Sequence, residues 1–198
     1  TSSTGNDFFR NRIIFPIHNQ GGKVIGFAGR VMDKEAKVAK YINSPETEVY
    51  KKSKTLYGLH LAKTAIRKLG SCILVEGYTD VMSLVQSGIE NVVASSGTSL
   101  TEDQVQLIKR HCENVIILYD GDDAGIKAAM RGIDMILKEG LNVYIGLIPD
   151  RDDPDSFIRK VGYEGFQKFL QEEVKDFILF KINLLKKETQ NDPIQRAN

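Results

Sequence analysis

The central part of the chain repeats one pattern: a short apolar run, then an acidic residue, then a stretch with helical periodicity. Residues 73–75 run directly into Glu76, and residues 115–119 run into Asp120. Short apolar runs that alternate with helical stretches are typical of βαβ units, whose strands form a parallel sheet. The carboxyl ends of parallel strands meet at one edge, where open α/β sheets bind ligands. The sequence therefore predicts a cluster of carboxylates at that edge.

The fold class predicted from these patterns is α/β, a parallel sheet flanked by helices. Strands are predicted at 72–75, 92–95, 115–119 and 143–147, and helices at 59–69, 80–87, 102–111, 123–139 and 166–187. Thr101 and Gln104 form a capping-box pattern at the start of the third helix. Apolar runs at 13–17 and 24–31, separated by Asn19 to Gly22, indicate a β-hairpin before the sheet.

Three parts follow from this organisation. We expect a β-rich basic subdomain at 1–70, the α/β domain at 71–158 and a helical subdomain at 159–198. No apolar stretch approaches the roughly 18 residues of a membrane span, and residues 1–5 have no secretory-signal pattern. Cys72 and Cys112 lack the spacing of a zinc site, so we expect buried, reduced thiols in a cytoplasmic protein and no zinc.

The net charge of +1 conceals two oppositely charged segments. Residues 1–70 hold 13 Lys and Arg against 5 Asp and Glu, whereas residues 71–160 hold 8 against 15. Opposite surfaces that merely pair or are solvated would give this distribution. A cationic track for a polyanion beside an acidic, metal-loaded centre would also give it, as a nucleic-acid polymerase or nuclease requires.

The clustered acids predict a metal-dependent phosphoryl-transfer site. Carboxylates gathered at one edge stay ionised together when a cation neutralises them, and oxygen-only ligands suit Mg²⁺ or Mn²⁺. Individual acids also have structural alternatives. Asp80 could only cap the helix at 80–87, Asp155 could cap the helix after it, and Asp122 or Asp123 could cap the helix at 123–139.

Several motifs resemble a known family. The segments 75–80, 94–98, 119–125 and 153–155 are similar to the Toprim domain of bacterial DNA primases, although topoisomerases, some nucleases and recombination mediators share that domain. More discriminating segments resemble the RNA-polymerase core of DnaG-type primases. They are Arg12 to Ile17, Gly26 to Arg30, Lys40 to Thr47 and Leu56 to Leu59. The resemblance covers roughly residues 8–185.

The resemblance implies a Toprim-type sheet and assigns site residues. It makes Glu76, Asp120 and Asp122 the catalytic acids, with Glu76 as metal ligand or proton acceptor. The implied metal set, for two or more Mg²⁺ or Mn²⁺ ions, is Glu76, Asp80, Asp120, Asp122, Asp153 and Asp155. Arg30, Lys40 and Lys52 match a ridge that holds template DNA and nucleotide, and Arg12 is a further candidate phosphate contact. Tyr41 could stack a base or pack in the core, and Asn43 could bind a nucleotide or order a turn.

The activity that the resemblance implies is template-directed synthesis of short RNA primers on single-stranded DNA. The implied partners are ribonucleoside triphosphates, the RNA–DNA hybrid product and the replicative helicase, which the family contacts through a C-terminal domain absent from this sequence. The family's zinc-binding domain is also absent, so we expect a fragment with weak or no activity on its own. The expected location is the bacterial cytoplasm, at replication forks.

Two other functions stay open at this point. A Toprim topoisomerase or nuclease fragment would need a nucleophilic-tyrosine domain or a hydrolytic partner domain, neither of which the sequence shows. A non-catalytic nucleic-acid-binding module would bind its ligand without Glu76.

Overall fold

The computed structural model of the chain describes residues 7–33, 37–97, 99–120, 132–149 and 152–182, with the backbone alone for Tyr119 and Asp120. Within these ranges the chain forms two separate sheets, one of three strands and one of five. The small antiparallel sheet precedes the larger, mostly parallel one, as the sequence predicts.

The small sheet contains β1 (Arg12–His18), β2 (Val24–Val31) and β3 (Tyr41–Asn43), in the order β1-β2-β3. The predicted hairpin is confirmed, and its turn is held by Asn19, whose Oδ1 accepts hydrogen bonds from the backbone of Gly21 and Lys23 at 3.0 Å each. The strand β3 was not predicted, because three residues are too few to show an alternating pattern.

The central sheet contains four parallel strands in the order β5-β4-β6-β7. They are β4 (Ser71–Val75), β5 (Val92–Ala94), β6 (Asn114–Asp120) and β7 (Asn142–Ile148). All four predicted strands are confirmed, with bounds that differ by one residue at one end or at both. A fifth strand, β8 (Lys175–Asp176), pairs antiparallel with β7; two residues carry no periodicity by which to predict it.

The helices are α1 (Leu59–Leu69), α2 (Tyr78–Gln86), α3 (Glu102–Lys109), α4 (132–138) and α5 (Pro154–Glu172). The bounds of α1 agree with the prediction, and so does the capping box of α3, in which Thr101 and Gln104 exchange hydrogen bonds at 3.2 Å. The part of the predicted helix 123–139 before residue 132 lies outside the described residues.

The two capping alternatives are not met in the form given above, although Asp80 takes part in the capping box of α2 by accepting from the backbone of Gly77. The helix α2 begins at Tyr78 after Gly77, so Asp80 is the third residue of the helix and not its N-cap. Asp153, not Asp155, caps α5, because its Oδ1 accepts a hydrogen bond from the backbone N of Ser156 at 2.7 Å.

The C-terminal helices also differ from the prediction. The helix α5 begins at Pro154, where a fixed φ and a missing N–H suit the first helical position. It breaks at Gly162, whose φ is 68° and ψ −177°. A helical segment at 177–182 follows β8, and the rest of the predicted stretch to 187 lies outside the described residues.

Hydrophobic clusters cover both faces of the central sheet. One face packs against α1, α3 and α4 through residues such as Ile66, Ile108 and Ile136. The other packs against α2 and α5 through Leu84 and Phe166. The two cysteines, 72 and 112, are buried and reduced, as predicted, and burial raises the pKa of both thiols. No helix of the described residues is long and apolar enough to cross a membrane.

Candidate active site

A cavity of about 560 Å³ opens between the small sheet and the carboxyl edge of the central sheet. Seven of the predicted site residues line it: Lys40, Tyr41, Asn43, Lys52, Glu76, Asp80 and Asp153. They come from four separate segments of the chain. The fold therefore brings the basic and acidic candidates to one place, as a polyanion site requires.

The acidic wall of the cavity is built on the turn after β4. Glu76 follows the strand directly and is exposed, whereas Asp80 is only 6% exposed on the first turn of α2. The backbone N of Gly77 donates to Asp80 Oδ2 at 2.9 Å. A Cβ on residue 77 would lie 2.8 Å from that oxygen. The close approach of the carboxylate therefore requires glycine between the two acids.

The turn after β5 forms the floor of the cavity and is tied to Glu76. The backbone N of Ser96 donates to the carbonyl oxygen of Glu76 at 3.0 Å. Ser96 has a φ of 60°, a left-handed conformation that costs a non-glycine residue roughly 1–3 kcal/mol. Such strain persists where surrounding contacts enforce it, which here are the contacts that fix the backbone of Glu76.

The basic wall comes from the segments around β3 and from a 3₁₀ turn, Lys52–Lys54. The Nζ of Lys52 donates to the carbonyl oxygen of Gly97 at 2.8 Å, so its charge is held at the mouth of the cavity. Tyr41 reaches across to α2, where its hydroxyl lies 3.4 Å from Thr79 Oγ1. Lys40, the residue before it, is exposed.

A buried tyrosine that sequence reasoning missed joins the two walls. The hydroxyl of Tyr78 donates to Asn43 Oδ1 at 2.8 Å, and Asn43 Nδ2 donates to the carbonyl oxygen of Ser96 at 3.4 Å. The Tyr78 ring stacks on Phe15 with centroids 5.4 Å apart. Burial raises the pKa of Tyr78, so its hydroxyl keeps the proton that it donates. In the sequence, the only sign of a role at the site is that Tyr78 directly follows the strand end, Glu76 and Gly77.

Two predicted basic residues do not line the cavity but support it. The Nη1 of Arg12 donates to the carbonyl oxygens of Gly29 at 3.1 Å and Lys40 at 3.3 Å, which fixes the backbone at Lys40. The guanidinium of Arg30 lies 5.8 Å from the centroid of the Tyr41 ring. Each arginine therefore contacts a residue that lines the cavity, Lys40 for Arg12 and Tyr41 for Arg30.

The predicted acid Asp155 also lies outside the lining of the cavity. Its Oδ1 is 2.7 Å from Arg159 Nε and accepts a hydrogen bond from Ser83 Oγ. This contact ties the start of α5 to α2. The second oxygen, Oδ2, is not used by either bond.

Asp120 ends β6, between β4 and β7, and its backbone pairs in register with Ile148. The strand end therefore lies at the same edge as Glu76 and Asp153. The side chain of Asp120 and the whole of Asp122 lie outside the described residues. Among the residues that the structure describes, no three His, Cys, Asp or Glu side chains are close enough to form a metal site by themselves.

The chemistry of the donors nevertheless fits a hard divalent cation. Glu76, Asp80 and Asp153 present only carboxylate oxygens to the cavity, which is the donor type that Mg²⁺ and Mn²⁺ prefer. The end of β6 lies between them in the sheet order, where an acid would complete such a set.

Comparison with known proteins defines the class first. Residues 1–63 match the family described as the DNA primase catalytic core, N-terminal domain, and residues 73–158 match the family described as Toprim-like. An N-terminal primase-core domain followed by a Toprim-like domain is the arrangement that the two sheets and the cavity display. The class is a Toprim-containing catalytic core.

Individual relatives narrow the class to a family. The DNA primase of Clostridium acetobutylicum is 49% identical over 178 residues, which are 89% of this chain and 29% of that protein. The primase catalytic core of E. coli is 40% identical with a TM-score of 0.85, and the match covers 100% of this chain and 64% of that one. A DnaG primase catalytic domain bound to single-stranded DNA gives 40% identity and a TM-score of 0.85, over 96% and 61% of the two chains. The chain belongs to the bacterial DnaG-type DNA primases.

The chain spans about three-tenths of the length of the curated relatives that it matches.

Proposed function

We propose that the cavity is the nucleotidyl-transfer centre of a DNA primase, which synthesises short RNA primers on a single-stranded DNA template. The observation that carries the proposal is that one cavity presents Lys40 and Lys52 opposite Glu76, Asp80 and Asp153. Cations on one wall suit the phosphates of template and nucleotide, and carboxylates on the other suit divalent metal. The match of residues 1–63 to the primase core favours this function over a topoisomerase or nuclease.

In the proposed reaction, a 3′-hydroxyl attacks the α-phosphate of a ribonucleoside triphosphate in line, and pyrophosphate leaves. Bound Mg²⁺ or Mn²⁺ ions, two or more, would supply neutralisation of the charge that develops on the reacting phosphate. Glu76, Asp80 and Asp153, which line the cavity, would hold them together with Asp120 and Asp122. Asp155 joins this set only through Oδ2, because Oδ1 faces Arg159.

The remaining residues of the cavity bind and orient. Lys52, fixed on Gly97, and Lys40, fixed through Arg12, neutralise phosphates of the nucleotide and template. The hydroxyl of Tyr78 orients Asn43, and the guanidinium of Arg30 lies over the ring of Tyr41. The proposed organisation assigns these contacts to residues 1–70, the acids to 71–158 and a helical part to 159–198.

Calorimetry of nucleotide binding tests the proposal on this chain. Titration of a ribonucleoside triphosphate with Mn²⁺ is expected to show binding that disappears without the metal. Binding is expected to weaken at least tenfold in Glu76→Gln and in Asp120→Asn, since each removes a charge from the metal set. The matched control is Glu90→Gln, an exposed glutamate after α2 that the cavity does not include.

Equal binding in the wild type and in both acid variants would overturn the metal-centred proposal. That result would favour the non-catalytic module, in which nucleic acid binds to the basic wall and Glu76 is dispensable.

A further inference from the structure

One face of α1 carries a row of positive and imidazole side chains away from the cavity. His60, Lys63 and Arg67 are three and four residues apart, so they lie on one side of the helix. The Nζ of Lys63 donates to the carbonyl oxygen of Gln20 at 2.9 Å. The Nε of Arg67 donates to His111 Nδ1 at 3.1 Å. The row therefore joins the β1–β2 hairpin at one end to the turn after α3 at the other.

Arg110, next to His111, extends the row. We call Lys63, Arg67 and Arg110, with His60 and His111 between them, the α1 basic stripe. Six described cations outside the stripe have a carboxylate within 4.0 Å, whereas others, such as Lys68 and Lys175, do not; the six are Lys54, Lys109, Lys138, Arg159, Lys160 and Lys168. Among the described residues, none of the three stripe cations has an ion-pair partner. Even Lys109, beside Arg110, pairs with Glu139 at 3.6 Å.

The histidines of the stripe are partly buried and lie near its cations. Partial burial and the neighbouring Arg67, Lys63 and Arg110 lower the pKa of His111, and partial burial, His18 and Lys63 lower that of His60. A neutral His111 accepts from Arg67 through Nδ1, which leaves the two terminal nitrogens of that guanidinium for another acceptor. An anion bound to the stripe would neutralise its like charges.

The stripe connects to the candidate active site through the segment 51–54. Lys52 lines the active-site cavity, whereas its neighbours Lys51 and Lys54 line a separate cleft of about 370 Å³. Gln20, which accepts the hydrogen bond from Lys63, lines the same cleft. From there α1 leads towards the start of β4, so Arg67 lies near the amino end of the sheet, opposite the cavity.

We propose that the α1 basic stripe binds the phosphodiester backbone of single-stranded DNA outside the active-site cavity. Arginine and lysine that are held in place but not paired suit phosphate oxygens, and no base-specific contact is implied. The identity of the ligand as DNA rests on the proposed function. The binding itself requires neither metal nor nucleotide.

The test compares the salt dependence of oligo-dT binding, followed by fluorescence anisotropy of the labelled strand in the presence of a chelator. The stripe variant is Lys63→Gln, Arg67→Gln, Arg110→Gln. The matched control, Lys168→Gln, Lys175→Gln, Lys181→Gln, removes the same charge from exposed C-terminal lysines. Each phosphate contact on a single strand contributes roughly 0.7 to the slope of log K against log salt. The stripe variant is expected to lower the slope by about 2, with at least tenfold weaker binding at about 0.1 M salt.

An unchanged slope in the stripe variant, or an equal fall in the control, would overturn the proposal. The stripe would then be a candidate site for an acidic protein surface instead of DNA. If the triple variant does not fold, Arg67→Gln alone is expected to lower the slope by roughly 0.7. A fall in slope without any metal-dependent nucleotide binding would support the stripe while the proposed function fails. The double variant Lys40→Gln, Lys52→Gln is expected to lose nucleotide binding. It is expected to keep the part of the salt dependence of oligo-dT binding that comes from the stripe.

Discussion

At the scale of single residues, the candidate site depends on side chains that hold other side chains. Asp80 turns back onto the backbone of Gly77, and Tyr78 fixes the amide of Asn43. These contacts hold the backbone directly after Glu76 and orient the amide of Asn43, although Tyr78 itself carries no charge for phosphates or metals. Substitutions at the supporting residues are thus expected to affect both stability and binding.

Replacement Tyr78→Phe keeps the packing of the ring and removes only its hydroxyl. Asn43 Oδ1 then loses its donor, and we expect the free energy of unfolding to fall by about 1 kcal/mol. Nucleotide affinity is expected to fall too, because the Asn43 amide is no longer oriented. Urea denaturation and calorimetry measure the two effects. Tyr163→Phe, at a ring that is 50% exposed, is the control, and an unfolding free energy equal to wild type in both variants would contradict the assigned role.

At the scale of elements, the capping box of α3 does more than begin a helix. Gln104 is fully buried, and its Nε2 donates to the carbonyl oxygens of Lys52 at 3.2 Å and Thr55 at 2.8 Å. The same side chain accepts from the backbone of Thr101. The start of α3 therefore clamps the segment that presents Lys52 to the cavity.

Replacement Gln104→Ala is expected to lower the free energy of unfolding by about 2–4 kcal/mol, because it leaves buried carbonyl oxygens without donors. Hydrogen exchange at the amides of Lys54 and Thr55 is expected to accelerate, which denaturation and exchange measurements report separately. Gln86→Ala, at an exposed position on α2, should stay within about 0.5 kcal/mol of wild type. Unchanged exchange at both amides would show that other contacts hold the segment.

At the scale of the whole molecule, the partial burial of His60 and His111, reinforced by nearby positive groups, links stability to pH. The folded-state pKa values of His60 and His111 lie below the ordinary 6.5. Between the lowered values and 6.5, the unfolded chain binds more protons than the folded one, so stability rises with pH through this window and falls on acidification.

We therefore expect a lower Tm at about pH 5.5 than at about pH 7.5, with part of the difference removed in His60→Gln, His111→Gln. Carboxylates contribute the remainder, which both proteins share. Thermal melts followed by circular dichroism at the two pH values measure it. A pH difference in Tm as large in the double variant as in the wild type would show that these histidines do not carry the effect.

The sequence by itself determined the parallel sheet, its flanking helices and the edge at which the acids gather. Buried strands and amphipathic helices leave local apolar periodicities, and the carboxyl end of a strand is fixed by chain direction. Tertiary structure alone decided which candidates share the cavity. It placed Lys40 and Lys52 opposite Glu76, turned Arg12 and Asp155 to structural partners, and buried Tyr78 between the walls. Contacts between distant segments depend on how the two sheets pack, which no local pattern records.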